Sequence, residues 1–343
     1  MRPVRVGLIG GGAIADSHIR GYRAHAERIV PVAVAETSPE RLAQRSAELA
    51  ATPFADYGDL VRTADVDAVD ICLPHHLHRD AIVRAADAGK HILCEKPLCL
   101  TAPEAREVQA AVRSNGITLM CAHNQLFLPT VAKAKALLDE GALGQVYGVR
   151  TTDSFYNQFE PANMSWRMSS TTSGGGELID TGYHPTYLLL HLAGGRPVEA
   201  TAMLSTHRLR FMEGEDSAEV LVRFDNGVVG QMTTSWAYAP PPGRERFSVV
   251  GERGAMSADA AGTTLGVTLR DAEPATYTFD PMDTFVAEIG HFADSLIGGT
   301  RPLHTEVEGI EALGILLAAY DGAARKTIAP VLSADEDQVA RAG

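Results

Sequence analysis

Val4-Arg5-Val6-Gly7-Leu8-Ile9-Gly10-Gly11-Gly12-Ala13-Ile14-Ala15 is the stretch that decides the fold. Six residues form a short apolar run, three glycines close it, and Ala15 to His25 continues in a helix-compatible pattern, so the chain opens strand, turn, helix. Ile29 to Ala35 reads as a second strand, Pro39 to Leu49 as a helix, Ala68 to Leu73 as a third strand and Arg79 to Ala88 as a helix. His91 to Cys94, a helix from Ala102 to Ser114 and a short strand from Thr118 to Ala122 complete the series. Strands and helices alternating at this spacing predict an α/β domain, a doubly wound parallel sheet over residues 1–122.

In that context Gly10 to Ala15 fits the GxGxxA pattern, whose meaning depends on standing between a strand and a helix. Gly10 permits the tight turn, Gly12 lets backbone approach a pyrophosphate, and Ala15 keeps the helix close to the sheet. The unpaired N–H groups of the helix start, at Ala13 and Ile14, attract the anion. Glu36 stands 24 residues after Gly12 at the end of the second strand, where a carboxylate accepts from both adenine-ribose hydroxyls and repels a 2′-phosphate. NAD is therefore expected in preference to NADP. The plainer alternative is a strand-to-helix turn that binds nothing.

At 343 residues the chain has room for about two domains. Hydrophobic residues at 45% and charged residues at 21% exclude disordered, collagenous and coiled-coil classes. Thirty Lys plus Arg against 43 Asp plus Glu leave a net charge of −13, which repels nucleic-acid phosphates and anionic membranes. With no signal-peptide pattern and no membrane-length apolar run, the sequence predicts a cytoplasmic protein. Cys72, Cys94, Cys99 and Cys121 form no CxxC pair, so neither disulfides nor zinc is expected. His75, His76 and His78 invite a metal reading, but no thiolate or carboxylate stands at ligand spacing.

Past Pro129 the texture changes. One helix to about Glu140 is followed by strand patterns at 145–154, 200–205, 218–224, 228–235, 247–250 and 264–269, and Asp225-Asn226-Gly227 is a hairpin signal between two of them. Residues 123–343 are predicted as an α+β domain with a largely antiparallel, open-faced sheet, closed by helices at 283–297 and 306–325. The segment 239–243, with its three prolines, reads as an exposed loop. A sheet face left without helices exposes apolar surface, so a homodimer or homotetramer paired through that sheet is expected.

Further motifs carry a resemblance. Cys94-Glu95-Lys96-Pro97-Leu98, the loop Pro74-His75-His76-Leu77-His78, the run Gly174-Gly175-Gly176-Glu177-Leu178-Ile179-Asp180-Thr181-Gly182-Tyr183-His184, and Arg301-Pro302 follow the glycine turn in order. With that turn they resemble the Gfo/Idh/MocA family of nicotinamide oxidoreductases, over nearly the whole chain. The resemblance implies a Rossmann-type domain, an open-faced sheet domain, and oxidation of a secondary hydroxyl of a sugar, sugar derivative or cyclitol.

Carried over by position, the resemblance makes Lys96, Asp180 and His184 catalytic. Pro74, His75, His78, Glu95 and Lys96 join the cofactor site, with His75 in place of the family's usual asparagine. His123, Tyr156, Trp166 and Arg167 join Lys96, Asp180 and His184 as substrate contacts, and Leu126 stands where many relatives place an arginine. Each residue type suits its chemistry. An alcohol that loses hydride must also lose its O–H proton, which imidazole can take. Lys96 stabilises alkoxide character, and Asp180, four residues before His184, can orient the ring or bond the substrate. Pro97 disfavours helical geometry at Lys96, and Pro185 predicts that the helix kinks or begins again at His184. Each also has a structural alternative: a packed histidine or tryptophan, a solvated lysine or arginine, an aspartate answering a helix dipole. Two rival functions share these residues, an NAD-retaining glycosidase working by transient oxidation and elimination, and a non-catalytic dinucleotide-binding regulator.

Overall fold

The computed structural model describes residues 2–239 and 243–334; the prolines at 240–242 of the expected loop lie outside them. The chain forms two compact units, Met1–Asn124 with Asp283–Gly309, and Gln125–Met282 with Ile310–Gly343.

In the first unit the strands are β1 (Val4–Ile9), β2 (Ile29–Ala35), β3 (Thr52–Phe54), β4 (Ala68–Ile71), β5 (His91–Glu95) and β6 (Leu119–Ala122). They make one parallel sheet in the order β3-β2-β1-β4-β5-β6. The helices are α1 (Ala13–Ala24), α2 (Pro39–Leu49), α3 (Tyr57–Thr63), α4 (His78–Asp87) and α5 (Ala102–Asn115). The expected Rossmann-type order is thus present, and strand order reverses between β1 and β4, where such sheets open their ligand crevice. Val6, Leu8, Ile9, Ile71, Ile92 and Leu93 are wholly buried, which is why these strands read as unbroken apolar runs. Each such side chain contributes about 1.5–3 kcal/mol by burial. Helix starts are written locally: Ser38 accepts from the Arg41 amide ahead of Pro39, and Thr101 with Glu104 forms a capping box. All four cysteines are buried free thiols.

The segment Asp283–Gly309 belongs to this unit, whereas the sequence expectation assigned everything after residue 122 to the second domain. Its helix α11 (Thr284–Gly298) packs on α1 at glycines. A Cβ on Gly21 would stand 2.5 Å from Ile289 Cγ1, and one on Gly290 would stand 2.6 Å from His25 Nε2. Arg28 pairs with Asp294 at 2.6 Å, and the Asp283 carboxylate caps the helix by accepting from the Phe285 and Val286 amides. None of these long-range contacts is written in local periodicity.

The second unit holds β7 (Val146–Ser154), β8 (Pro197–Ser205), β9 (Ser217–Phe224), β10 (Val229–Ser235), β11 (Glu245–Gly251), β12 (Gly254–Asp259), β13 (Thr264–Leu269), β14 (Ala275–Thr278) and β15 (Ala329–Pro330). They form one sheet in the order β14-β13-β12-β11-β7-β10-β9-β8-β15, antiparallel except where β10 runs parallel to β7. Asp225-Asn226-Gly227 is the β9–β10 hairpin turn, with Gly227 at φ +87°. Helices α6 (Pro129–Asp139), α7 (Pro161–Met164), α8 (Ser170–Ser173), α9 (Glu177–Asp180), α10 (Tyr183–Ala193), α11 (Thr284–Gly298) and α12 (Glu306–Arg325) complete the chain. α10 lies on β7 and β10: the Thr151 hydroxyl donates to the Pro185 carbonyl at 2.9 Å, and Gly230 leaves room for Leu189. On the other face Met203, Leu221, Val229 and Val250 are exposed, the open face that was expected.

The sequence reading omits β3, α3, α7, α8, β12, β14 and β15. All are short or polar at alternate positions, and Pro53 breaks any strand signal at β3. Among the described residues no helix is long and apolar enough to cross a membrane.

Candidate functional site

The loop after β1 carries the phosphate turn. Gly10 sits at φ +98°, and a Cβ there would fall 2.3 Å from the Cys72 carbonyl oxygen at the end of β4, so no other residue fits. Gly12 is the N-cap of α1 without a side-chain cap, and nothing lies within 4 Å of where its Cβ would be. An uncapped helix start opening onto vacant space fits a pyrophosphate. Glu36, just past β2, is 8% exposed. Its Oε2 accepts from the Gly11 amide at 3.0 Å, and its Oε1 accepts from the Ser38 amide at 2.8 Å. Burial works to raise its pKa, but these amide bonds and Arg41 outweigh it and hold Glu36 below the usual carboxylate range. Glu36 therefore shapes the turn. Arg45, which the sequence reading did not single out, donates to the Gly11 carbonyl at 3.2 Å and pairs with Asp16 at 2.6 Å, locking the same loop from α2.

Across the switch point, Pro74 leads from β4 into a short turn holding His75, which is buried. His78 is also buried, with Nδ1 2.7 Å from the Pro97 carbonyl and Nε2 2.8 Å from the Leu73 carbonyl. The ring clamps the loop after β4 to the loop after β5, a scaffolding part in the expected cofactor loop. Lys96 follows β5, off any helix and half-buried, and its amide donates to Glu95 Oε2 at 3.0 Å. His123 is 1% exposed, with Nδ1 2.8 Å from His304 Nδ1. That pairing, with a residue from the returning segment, places its ring inside the first unit.

In the second unit the glycine run 174–176 proves to be a packing device. A Cβ on Gly176 would stand 2.0 Å from the Glu215 carbonyl oxygen, and one on Gly175 would stand 2.3 Å from Tyr320 Oη. The tight seat delivers α9 and α10. Asp180 ends α9, Thr181 and Gly182 keep helical dihedrals, and α10 begins again at Tyr183 with His184 and Pro185 in its first turn, where proline loses no hydrogen bond. Asp180 is 5% exposed, and its Oδ2 takes the Arg167 guanidinium at 2.6 Å. Arg167 in turn covers the Trp166 ring at 4.2 Å. Tyr156 is 55% exposed beneath Arg208.

His184 Nδ1 lies 2.8 Å from Tyr187 Oη, and that oxygen also accepts the Gln125 amide at 3.1 Å. Tyr187, fully buried, is thus an orienting partner of His184 that the sequence reading missed, although its place one helical turn on was a usable signal. If the imidazole donates Nδ1–H to Tyr187, Nε2 carries the lone pair, the tautomer a general base requires.

These two loop clusters are matched by comparison with known proteins. Residues 4–123 match the family model described as an oxidoreductase family with NAD-binding Rossmann fold, and residues 131–257 match the GFO/IDH/MocA C-terminal domain. The chain belongs to the Gfo/Idh/MocA oxidoreductases. It is 31% identical to 1,5-anhydro-D-fructose reductase of Ensifer adhaerens, over 93% of this chain and 96% of that protein. An NAD-binding oxidoreductase from Klebsiella pneumoniae superposes with a TM-score of 0.89 at 26% identity, covering 97% of this chain and all of the other. A levoglucosan dehydrogenase in complex with NADH and levoglucosan superposes at 0.86 with 27% identity, covering 96% and 99%. The first unit is accordingly an NAD-binding Rossmann domain, and Gly10, Gly12, Ala13, Ile14 and Glu36 are the residues that would hold the cofactor there.

One member of the glycine segment has a measurable signature. Glu177 is wholly buried; Oε1 accepts the Thr234 hydroxyl and Oε2 has no hydrogen-bond partner. Burial first, with Glu215 and other nearby carboxylates adding, pushes its pKa well above the usual range, so the folded protein keeps it neutral. Its folded pKa exceeds its unfolded one; the stability it contributes is complete below the unfolded value and is lost as pH rises toward the folded value. Glu177→Gln is expected to flatten the pH dependence of thermal stability between about pH 5 and 8 and to be at least as stable as wild type at the upper end. Melting curves at several pH values check this, and an unchanged slope refutes it.

Proposed function

We propose that this oxidoreductase is an NAD-dependent dehydrogenase oxidising a secondary hydroxyl of a sugar, sugar derivative or cyclitol, acting in the cytoplasm. The observation that carries the reading is the 2.8 Å hydrogen bond between His184 Nδ1 and Tyr187 Oη, which orients the imidazole, in a chain whose other unit carries the NAD turn. His184 takes the hydroxyl proton, and Lys96 stabilises the charge left on the same oxygen. When bound, NAD supplies the hydride acceptor. Asp180, tied to Arg167, keeps a negative charge beside that site for hydroxyl recognition, and Trp166 with Tyr156 offers aromatic faces to a sugar ring. Glu36 favours NAD over NADP, because a 2′-phosphate would meet its carboxylate.

The kinship with anhydrosugar enzymes makes levoglucosan and 1,5-anhydro-D-fructose the first compounds to try, followed by aldoses, inositols and sugar acids. Each is incubated with NAD and with NADP while reduced-cofactor absorbance is followed, in the reverse direction for the ketose. Turnover with NAD on at least one polyol supports the assignment. Release of a leaving group without net reduced cofactor would move it to the glycosidase, and cofactor binding with no turnover on any compound would move it to the regulator.

The uncovered sheet face is proposed to pair two or four copies. Met203 is 81% exposed and Leu221 52%, on neighbouring strands of that face. Light scattering on the wild type is expected to give a dimer or tetramer, and Leu221→Lys a smaller assembly with unchanged secondary structure; a monomeric wild type contradicts the proposal.

A further inference from the structure

Beneath the phosphate turn lies a buried polar chain that the proposed reaction does not use directly. His18 on α1 is completely buried and stands between two carboxylates: Nδ1 is 2.8 Å from Asp70 Oδ2, and Nε2 is 3.2 Å from Glu95 Oε1. Asp70, on β4, also accepts the Tyr22 hydroxyl at 2.5 Å, and the Cys72 thiol lies 3.6 Å from its other oxygen. Glu95 ends β5; its second oxygen accepts the backbone amide of Lys96 at 3.0 Å. From α11, Phe285 packs against the His18 ring, and Glu288 faces the group with both oxygens lacking hydrogen-bond partners.

We propose that His18 is a positioning residue for Lys96, acting through Glu95: the imidazole fixes one oxygen of the Glu95 carboxylate so that the other holds the Lys96 amide. This rests on the reading that Lys96 works at the substrate oxygen. A lone carboxylate curling back onto the next residue's amide has several rotamers available, and a second bond from a ring that is itself anchored to Asp70 leaves one. The protonation pattern agrees. Burial opposes charge on His18, but Asp70 and Cys72 more than offset it and hold its pKa well above the ordinary histidine value, so both ring nitrogens can donate. Burial likewise pushes Glu288 up, and as a neutral acid it adds no third negative charge to the pocket. Lys96 is thus anchored at its amide through a chain that runs from the carboxyl end of β5 to α1 and β4.

The chain contains five lysines, at positions 90, 96, 133, 135 and 326, which makes the test direct. In the NAD-loaded protein, carbon-13 reductive methylation labels each lysine, and the Lys96 signal is assigned by its loss in Lys96→Arg. In His18→Leu the Lys96 signal is expected to shift or split while the other four stay in place. Turnover should fall by about 10–100-fold with NAD affinity unchanged, the scale seen when a supporting hydrogen bond is lost. In a Lys96→Ala background the same substitution should cost nothing further. An unmoved Lys96 signal, or losses that simply multiply, overturns the proposal. Full turnover in Lys96→Ala would instead overturn the reading it rests on, and the lysine spectrum would still decide whether His18 positions that residue. Should His18→Leu not fold, His18→Gln, which can reach only one of the two carboxylates, must displace the Lys96 signal or the proposal fails.

Discussion

Lys96→Ala lowers kcat on the identified polyol by about 10²–10⁴-fold. The size follows from what the ammonium is asked to do. An alkoxide is worth little to the enzyme in the ground state, where the oxygen still carries its proton, and much in the transition state, so the loss falls on kcat more than on KM. His184→Ala is expected to cost a similar factor, because no other base replaces an imidazole held by Tyr187. The two losses should not multiply in the double variant, since both groups act on one proton-transfer and charge-development event. Stopped-flow or steady-state absorbance of reduced cofactor reads all three, and a Lys96→Ala enzyme that keeps wild-type kcat refutes the assignment.

Gly12→Asp weakens NAD binding by about 100-fold or more without lowering the melting temperature of the unliganded protein. The space beyond Gly12 is open, so the new Cβ meets nothing within 4 Å. It does enter the position a pyrophosphate must take, and its charge opposes the anion at a distance of a few ångströms, where like charges cost several kcal/mol near a protein surface. Gly10→Ala makes the contrast. There the Cβ would strike the Cys72 carbonyl oxygen at 2.3 Å in a left-handed backbone, so stability falls along with binding. Fluorescence titration and melting curves separate the two outcomes; Gly12→Asp binding NAD as wild type would show that the turn does not hold the cofactor.

How much of this was legible in the sequence depends on range. The β1–turn–α1 signal and the alternation after it lie within a few residues of each other, and the observed strand limits 29–35 and helix limits 39–49 are those read from periodicity. Glu36 and the helix restart at His184 were equally local. Contacts between distant segments were not legible. His18 meets Asp70 across 52 residues and Glu95 across 77, and α11 returns to α1 from far down the chain. For Asp180 the sequence offered His184 as partner by helical spacing, whereas the structure adds Arg167, from a turn with no periodic signal. The glycines at 174–176 carried no chemistry of their own: Gly174 takes a left-handed φ of +89° at the end of α8, and the packing of Tyr320 and Glu215 explains Gly175 and Gly176.

The most direct test of the account is a crystal structure of the protein with NAD and the polyol it turns over, in which the distances from Lys96 Nζ and His184 Nε2 to the substrate oxygens are measured. Both atoms are expected within about 3.2 Å of one and the same hydroxyl oxygen. A bound polyol whose reacting oxygen touches neither side chain, or only one of them, would contradict it.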